Sequence, residues 1–456
     1  AYFMGDAPVT AGTDIFYHCT DGFKVYYLNG ASGFTNPWHG YETVCIDFAF
    51  SVSDGQAAVT GYTGTGTDIV IPGSLAGCPV TAVGGGAFRD NTALRRVVIP
   101  DSVLTVGNSA FRGCTGLTDV AIGENVERID NYAFHGCTGL TEAAIPDCVT
   151  TIGYSAFGYC SNLENVTMGD HVQTIGTNAF ESCGSLSALS LPDSVTSIGA
   201  GAFSYCSNLA GLNLGNGITA IGTSVFKGCS SLTAVDIPDS VQTVGNWAFA
   251  WCGAMTSLTF GSALTAVGDY AFYGCNGLGE LTFPEGMQTV GSNAFNACTA
   301  LNSAFIPATV TSIGTDAFLG CDGLVITGMA GSYAQTYAAA NGIAFNALYL
   351  KAKTGSTCVI DEQNRLIYGL APGIASLDDF VSAAQGYQLE CQPGPSGFGT
   401  GSLALVKQGG AVMRTYTVLI YGDVNGDGNI DSGDAGLIVD AENFMLTINQ
   451  VTGLAV

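Results

Sequence analysis

Apolar side chains return at a fixed interval of 23 residues through the middle of the chain. Eleven consecutive units, with no insertion between them, each place one phenylalanine at the same position: Phe88, Phe111, Phe134, Phe157, Phe180, Phe203, Phe226, Phe249, Phe272, Phe295 and Phe318. Self-similarity with a period of this length is the signature of repeat proteins, in which each unit is one supersecondary element. The pattern therefore predicts a stack of eleven 23-residue repeats.

Two further positions repeat in phase with the phenylalanines. Six residues after each of them lies a leucine, replaced by Met255 in one unit. Three residues after the phenylalanine, ten of the eleven units carry a cysteine, and the first unit has Asn91 instead. A single unit cannot bury these side chains, but stacking buries each one against the same residue of its neighbours and forms a continuous core.

The pattern inside one unit predicts its elements. In residues 189–209, two apolar pairs, Leu189 with Leu191 and Val195 with Ile198, lie in short segments that we expect to be extended strands. From Ala202 to Leu209 their spacing is three and four residues, which is typical of a helical turn. The sequence therefore predicts an α/β repeat solenoid with two short strands and one helical turn per repeat.

Short motifs recur in the same order in these units. Over residues 68–325 the sequence returns to Ile-Pro-Asp-Ser-Val, Ile-Gly, Ala-Phe and Cys. In this respect the units resemble BspA-type leucine-rich repeats of bacterial surface proteins. The resemblance implies a leucine-rich-repeat fold, an extracellular location, secreted or on the cell surface, and a non-catalytic role in adhesion or protein–protein interaction. It also implies a host or matrix protein or glycan as the partner.

The composition changes outside the repeats. We predict five segments, which are residues 1–46 as the tail of a preceding repeat region or an N-terminal cap, 47–325 as the solenoid with a hairpin cap, 326–349 as a C-terminal cap, 350–421 as a small, mostly-β module, and 422–456 as a partial dockerin-like segment. Asp54-Gly55 between alternating runs signals a two-residue hairpin. A short helix is expected around residues 331–340, and a helical stretch near Leu377 to Ala384.

The strongest local motif is an EF-hand-like loop near the end of the chain. Oxygen-bearing side chains or a carbonyl occupy loop positions 1, 3, 5, 7, 9 and 12, where Ca²⁺ takes its ligands, with Gly428 at position 6 for the sharp turn. These ligands are Asp423, Asn425, Asp427, Asn429, Asp431 and Asp434. The sequence predicts calcium as a cofactor, and the alternative is an acidic solvated turn.

Aspartate at position 12, where EF-hands carry glutamate, makes this loop similar to that of dockerins. The similarity implies a cohesin as a partner and, as an alternative function, a carbohydrate-binding or scaffold component of a fibre-degrading assembly. Dockerins that bind cohesins pack two such loops together, and this sequence carries one.

Charge and hydropathy exclude several partners. The chain has 37 acidic and 12 basic residues, a formal net charge of −25, and thus no basic stripe for phosphates or anionic lipids. No apolar run approaches the roughly 18 residues of a membrane-spanning helix. We therefore expect neither nucleic-acid binding nor direct membrane insertion.

The sequence offers little for catalysis. Of sixteen cysteines, ten belong to the repeating position, where free buried thiols are the first interpretation and disulfides or a metal the second. The four histidines include His135 close to Cys137, but a cysteine at the repeating position points inward, which argues against a catalytic dyad. We therefore predict that the protein is not an enzyme.

Large aromatic residues collect on the predicted helical-turn side of the repeats, whereas the first strand presents small polar side chains. They are Tyr132, Tyr154, Tyr159, Tyr205, Trp247, Trp251, Tyr270 and Tyr273. Exposed Trp and Tyr are enriched among binding hot spots. We predict a ligand-binding patch formed by Trp247, Trp251, Tyr270 and Tyr273, and the alternative is that these rings only cover the core.

Overall fold

The computed structural model describes residues 1–8, 16, 19, 23–362, 364–370, 376–384, 386–393 and 402–420. It divides into two compact units. The first contains Ala1–Asn302 and Ser312–Gly323, and the second contains Ser303–Thr311 and Leu324–Val456. The predicted calcium loop at residues 423–434 lies outside the described residues.

In the first unit, every repeat begins with a three-residue strand whose middle residue points inward and whose outer residues face solvent. These first strands are Asp68–Val70, Arg96–Val98, Asp119–Ala121, Glu142–Ala144, Asn165–Thr167, Ala188–Ser190, Gly211–Asn213, Ala234–Asp236, Ser257–Thr259 and Glu280–Thr282. The strands that pair do so in parallel and in the same register, as Val97 does with Val120, and they form several short sheets. This confirms the predicted first strand with its polar outer face.

In every repeat after the first, a second strand of two residues follows and contributes one Val or Ile, which is buried in all of them except Ile198. The second strands are Thr105–Val106, Arg128–Ile129, Thr151–Ile152, Thr174–Ile175, Ser197–Ile198, Ala220–Ile221, Thr243–Val244, Ala266–Val267, Thr289–Val290 and Ser312–Ile313. They pair in parallel in two sheets. The sheets divide between Ser197–Ile198 and Ala220–Ile221, where Gly215 adopts a positive φ of 62° at the preceding corner.

The third segment of each repeat is a series of tight turns, so the predicted helical turn is wrong. In one repeat the backbone N–H groups of Asn178, Phe180 and Ser182 donate to carbonyls of the next repeat at 3.0, 2.7 and 2.8 Å. Within the repeat, the Cys183 N–H donates to the carbonyl of Phe180, three residues back, at 3.3 Å. A helix keeps its N–H groups inside one segment. Here alternate N–H groups join neighbouring repeats instead.

The repeating phenylalanines, called the ladder phenylalanines below, stack along the core. Neighbouring rings are nearly parallel, with centroids 4.9 to 5.6 Å apart. Beside them each repeating cysteine donates its thiol to the carbonyl of a ladder phenylalanine 26 residues earlier, as Cys114 does to Phe88 at 3.0 Å. All sixteen cysteines are free thiols. Burial raises the pKa of Cys160 to about 12, so these thiols stay protonated.

A β-hairpin covers the first repeat, as predicted. Phe48–Ser53 and Gln56–Tyr62 are antiparallel, and Asp54 and Gly55 connect them with φ of 50° and 73°. Positive φ at both residues is the geometry that a type I′ turn requires. Gln56–Tyr62 then pairs in parallel with Cys78–Val83, which also receives the short strand Ser74–Leu75, and so the hairpin occupies the open edge.

Residues before the hairpin form a small parallel sheet of three strands, Tyr2–Phe3, Lys24–Leu28 and Glu42–Ile46. Trp38 is buried beside it and contacts the ring of Phe34 at a centroid distance of 4.9 Å. This arrangement is compatible with either predicted origin of residues 1–46, a repeat tail or a cap.

The second unit begins with three parallel strands, Ser303–Phe305, Val325–Met329 and Ala344–Leu348. The helix Tyr333–Ala340 connects the last two, and the hydroxyl of Ser332 caps its first turn by accepting the Gln335 N–H. The predicted short helix is thereby confirmed. It is the one helix among the residues that the structure describes.

The rest of the second unit is a β module, as predicted. Its strands are Leu350–Ala352, Val359–Asp361, Leu366–Leu370, Val381–Ala383, Gln388–Gln392, Leu403–Gln408 and Ala411–Ile420. The helix expected near Leu377 to Ala384 is wrong. This segment is a turn followed by the strand Val381–Ala383, which pairs antiparallel with Leu350–Ala352 and buries Val381 in the module core.

Candidate functional site

Two residues in every repeat adopt a left-handed backbone, one two positions before the ladder phenylalanine and one two positions after it. With φ between 48° and 79° they are Gly86, Ser109, Tyr132, Ser155, Asn178, Gly201, Ser224, Trp247, Tyr270, Asn293 and Asp316, and Asp90, Gly113, Gly136, Tyr159, Ser182, Tyr205, Gly228, Trp251, Gly274, Ala297 and Gly320. An L-residue with a Cβ is strained there by roughly 1–2 kcal/mol, whereas Gly, Asn and Asp adopt this backbone most readily. Tight turns explain the requirement.

Six of these strained positions carry large aromatic residues, which are Tyr132, Tyr159, Tyr205, Trp247, Trp251 and Tyr270. A bulky residue at positive φ is an outlier, and such strain concentrates at functional sites. We define the turn face as the side chains at these two strained positions, at the position three before each ladder phenylalanine, and at the position directly after it. The sequence alone revealed the aromatic residues but not their backbone strain.

The structure brings the four predicted ligand-binding residues together. The rings of Trp247 and Tyr270 stack with centroids 4.2 Å apart and an angle of 3° between their planes. Tyr273 lies 6.0 Å from Trp247, and its ring meets Trp251 edge-on at 6.3 Å. Trp251 is 42% exposed, and the other three are half-buried.

Lys227, which the sequence did not suggest, belongs to the same group. Its Nζ lies 4.9 Å from the ring centroids of both Trp247 and Trp251, within the range of a cation–π contact. We call Lys227, Trp247, Trp251, Tyr270 and Tyr273 the Lys227 cluster. Its members come from three consecutive repeats, so the stacking of the solenoid creates the cluster.

The aromatic rings are not needed to cover the core. Phe249 and Phe272, beneath the Lys227 cluster, are fully buried. Phe295 is equally buried, although its repeat has the small residues Asn293 and Ala297 at the two strained positions. Burial of the ladder phenylalanines therefore does not by itself require these rings, and the ligand-binding patch stays a prediction.

A second group of rings lies on the turn face nearer the N-terminal end of the repeats. His135 contacts the rings of Tyr132 and Tyr159 at 5.4 and 5.3 Å, and Tyr154 meets Tyr132 edge-on at 5.0 Å. The Arg112 guanidinium lies 5.3 Å from the Tyr132 centroid. We call these five residues the Arg112 cluster. Burial, and then the charge of Arg112, hold the pKa of His135 below its ordinary value.

Cys137 and His135, two residues apart in sequence, make different contacts. The Cys137 thiol is fully buried and donates to the carbonyl of Phe111 at 3.1 Å. His135 is on the turn face, where Nδ1 lies 3.0 Å from the Ser155 hydroxyl. The Cys137 side chain thus lies in the core, and the His135 side chain lies on the turn face.

The acidic residues at the repeat corners are structural. Asp101, Asp147, Asp193 and Asp239 each accept a backbone N–H from the next repeat at 2.6 to 3.0 Å. The N–H of Ser262 accordingly holds the pKa of Asp239 below its ordinary value. Within the described ranges, no three His, Cys, Asp or Glu side chains form a metal-binding group. The described part of the chain also has no helix long and apolar enough to span a membrane.

Several solved structures are similar to this chain. A leucine rich cell surface protein from Faecalibacterium prausnitzii is 29% identical, with 66% of this chain and 97% of that chain covered and a TM-score of 0.38. A leucine-rich repeat protein from Bacteroides ovatus is 22% identical, with 68% and 100% covered and a TM-score of 0.34. The pneumococcal vaccine antigen PcpA is 17% identical, with 66% and 97% covered and a TM-score of 0.41. No curated protein matches the sequence.

The repeats themselves match a known family. The family described as "BspA type Leucine rich repeat region (6 copies)" matches residues 81–210 and 197–325, which together are more than half of the chain. The match covers the ladder phenylalanines from Phe88 to Phe318 and therefore both clusters of the turn face. The chain belongs to the BspA-type leucine-rich-repeat family.

Proposed function

We propose that the protein is a non-catalytic binding protein and that the Lys227 cluster is its docking site for an extracellular protein or glycan. One observation carries this proposal. Trp247, Trp251 and Tyr270 occupy strained backbone positions, where other repeats bury their ladder phenylalanines equally well with Gly, Asn or Ala. Strain without a gain in core burial is the pattern expected where stability is traded for function.

The chemistry of the cluster suits recognition. Trp and Tyr supply large contact areas with few rotatable bonds, and they dominate binding hot spots. The Trp247–Tyr270 stack holds both rings in place before a partner arrives, so little conformational entropy is lost on binding. The partly exposed Trp251 and the Lys227 ammonium add an apolar edge and a positive charge.

The test is a variant with all four aromatic residues changed to Ala, compared with the wild-type protein on immobilised matrix proteins and on a glycan array. We expect binding to be lost while circular dichroism and the melting curve remain those of a folded solenoid. The matched control is Thr256→Ala with Ser257→Ala, which alters exposed residues at the start of the first strand Ser257–Thr259 in the same region. Undiminished binding by the folded aromatic variant would exclude the cluster as the docking site.

We also propose that the protein acts outside the cell, secreted or on the bacterial surface. Membership of the BspA-type family, whose repeats resemble those of bacterial surface proteins, supports this location. Brief protease treatment of intact cells of the source organism should release fragments of the solenoid, detectable by mass spectrometry. Fragments that appear only after cell lysis would contradict the location.

A second proposal concerns calcium, and the loop sequence favours it. Asp423, Asn425, Asp427, Asn429, Asp431 and Asp434 provide the donor pattern of a Ca²⁺ loop. Calcium titration by calorimetry should give one site, and Asp423→Ala with Asp427→Ala should abolish it, whereas Asp322→Ala, at a solvent-exposed aspartate, should not. The absence of heat up to roughly 10⁻³ M calcium, the weak end for extracellular sites, would exclude it. A site confirmed in this way would justify a cohesin pull-down.

A further inference from the structure

Arg112 and Lys227 differ from the other basic side chains of the repeat region. Arg96 and Arg128 pair with carboxylates at 2.9 and 2.7 Å, Arg89 pairs with its neighbouring aspartate, and Arg95 donates to the Gly116 carbonyl at 3.1 Å. Among the described residues, Arg112 and Lys227 have no carboxylate within ion-pairing distance and lie on aromatic rings instead. Although the net charge of −25 opposes densely charged polyanions such as nucleic acid, neither of these two cations is neutralised by an ion pair, so each can contact a single carboxylate of a ligand.

The two cations occupy equivalent places in the repeat. Each directly follows a ladder phenylalanine, and each contacts the strained aromatic residue of the next repeat, Tyr132 for Arg112 and Trp247 for Lys227. The two sites are five repeats apart on one face. Since neighbouring ladder rings are 4.9 to 5.6 Å apart, the two cations are separated by about 25 Å, close to five strand spacings in a parallel sheet.

The surface between the two sites is different. The position equivalent to Arg112 and Lys227 is occupied in the four intervening repeats by His135, which belongs to the Arg112 cluster, and then by Gly158, Glu181 and Ser204. Glu181 is partly buried, and burial raises the pKa of its carboxyl group. A ligand that spans both sites therefore needs its negative groups near the two cations and neutral groups near Glu181.

A peptide strand is a poor candidate for this face. The backbone N–H groups of the turn segments, such as Asn178, Phe180 and Ser182, already donate to the following repeat. Strand addition needs a free row of such groups. Recognition must then use flat rings and side-chain cations, which suit the apolar faces of sugar rings and the carboxylates of acidic sugars.

We propose that the turn face binds a linear glycan in which acidic and neutral sugars alternate, with its carboxylates on Arg112 and Lys227 and its rings on the adjoining aromatic side chains. The inference rests on the proposed function, because it names the ligand of the Lys227 cluster. It adds the Arg112 cluster as a second subsite and makes binding bivalent. Linking two weak sites through one ligand increases affinity by roughly 10²-fold or more.

The probe is hyaluronan, which alternates a uronic acid with a neutral N-acetylated sugar. Calorimetry would compare a long oligosaccharide that spans both clusters, a short one that reaches only one, and the long one after its carboxyl groups are reduced to alcohols. We expect the long acidic form to bind roughly 10²-fold more tightly than the short form. Carboxyl reduction should weaken binding at least tenfold.

The variants Arg112→Met and Lys227→Met keep an apolar side chain against the rings and remove the charge. Each should reduce the affinity for the long oligosaccharide to that of the short one. The matched control is Arg96→Met, which removes the same charge from a paired arginine on the first-strand face and should change little. Equal affinity for the acidic and reduced forms, unchanged binding by the double variant, or an equal loss with Arg96→Met would overturn the inference.

Failure of this inference differs from failure of the proposed function. If the wild type binds no form of hyaluronan but captures a matrix protein that the four-alanine variant cannot capture, the glycan inference is wrong and the docking site stands. If the four-alanine variant retains every interaction of the wild type, including hyaluronan, both are wrong.

Discussion

Replacement of Tyr159 by Asn should stabilise the protein, although it removes a large side chain. Tyr159 has a φ of 62° and is 49% exposed, and its ring contacts His135 at 5.3 Å. Asn adopts the left-handed backbone more easily, which recovers roughly 1–2 kcal/mol. Loss of a half-exposed ring contact costs about 0.5 kcal/mol. The free energy of unfolding should therefore rise by about 0.5–1.5 kcal/mol.

Tyr154→Asn is the matched control in the same repeat. Tyr154 is 39% exposed and contacts Tyr132 edge-on, but it does not belong to the positive-φ residues. Its replacement relieves no strain and should lower stability by about 0.5–1 kcal/mol. Denaturant melts, with the slope compared as well as the midpoint, measure both changes. If Tyr159→Asn destabilises as much as Tyr154→Asn, the strain argument for the turn face is refuted.

Three other changes test the core and the electrostatics. Phe180→Ala removes a fully buried ring stacked on both sides and should cost about 3–5 kcal/mol in a denaturant melt, and a cost below 1 kcal/mol would contradict the ladder packing. Iodoacetamide at pH 8 should modify the exposed Cys148 in the folded protein but not Cys183, because burial raises the pKa of the Cys183 thiol. Mass spectrometry before and after unfolding measures both reactions. Labelling of Cys183 before unfolding would contradict the prediction. Because burial lowers the pKa of His135, the unfolded chain binds its proton more readily, so stability is lost as pH falls below about 6.5. His135→Asn should therefore reduce the fall in melting temperature between about pH 7 and pH 5. A fall as large as that of the wild type would contradict the role of His135.

The periodic pattern was sufficient to predict the solenoid because each repeating side chain contacts its own equivalent. The first strand, the hairpin at Asp54-Gly55 and the helix Tyr333–Ala340 follow from alternation, turn residues and capping, which are local in sequence. The helical turn was wrong because successive tight turns also place apolar residues three and four positions apart. Hydrogen bonds to the next repeat, as made by Phe180, decide between the two and are not local.

The candidate site could be predicted only in part for the same reason. Trp247 and Tyr270 occupy the same position in adjacent repeats, which predicts that their rings are neighbours, and the rings stack at 4.2 Å. Lys227 directly follows one ladder phenylalanine, and Trp247 lies two residues before the next one. Their contact joins different positions of two repeats, so the pattern at a single position does not indicate it. Composition likewise does not indicate the backbone strain at Trp251. Gly228 and Gly274 at the same position of the adjacent repeats do suggest a left-handed backbone there.

The most direct measurement is hydroxyl-radical footprinting of the complex with whichever partner the matrix and glycan screens identify. The chain has three tryptophans, of which Trp38 is buried and Trp247 and Trp251 lie in the Lys227 cluster, so their oxidation reports on this cluster with little background. The proposed function predicts that the partner protects Trp247, Trp251 and Tyr270 and leaves the first strands accessible. Protection confined to first-strand residues such as Ser257, with both tryptophans still oxidised, would contradict it.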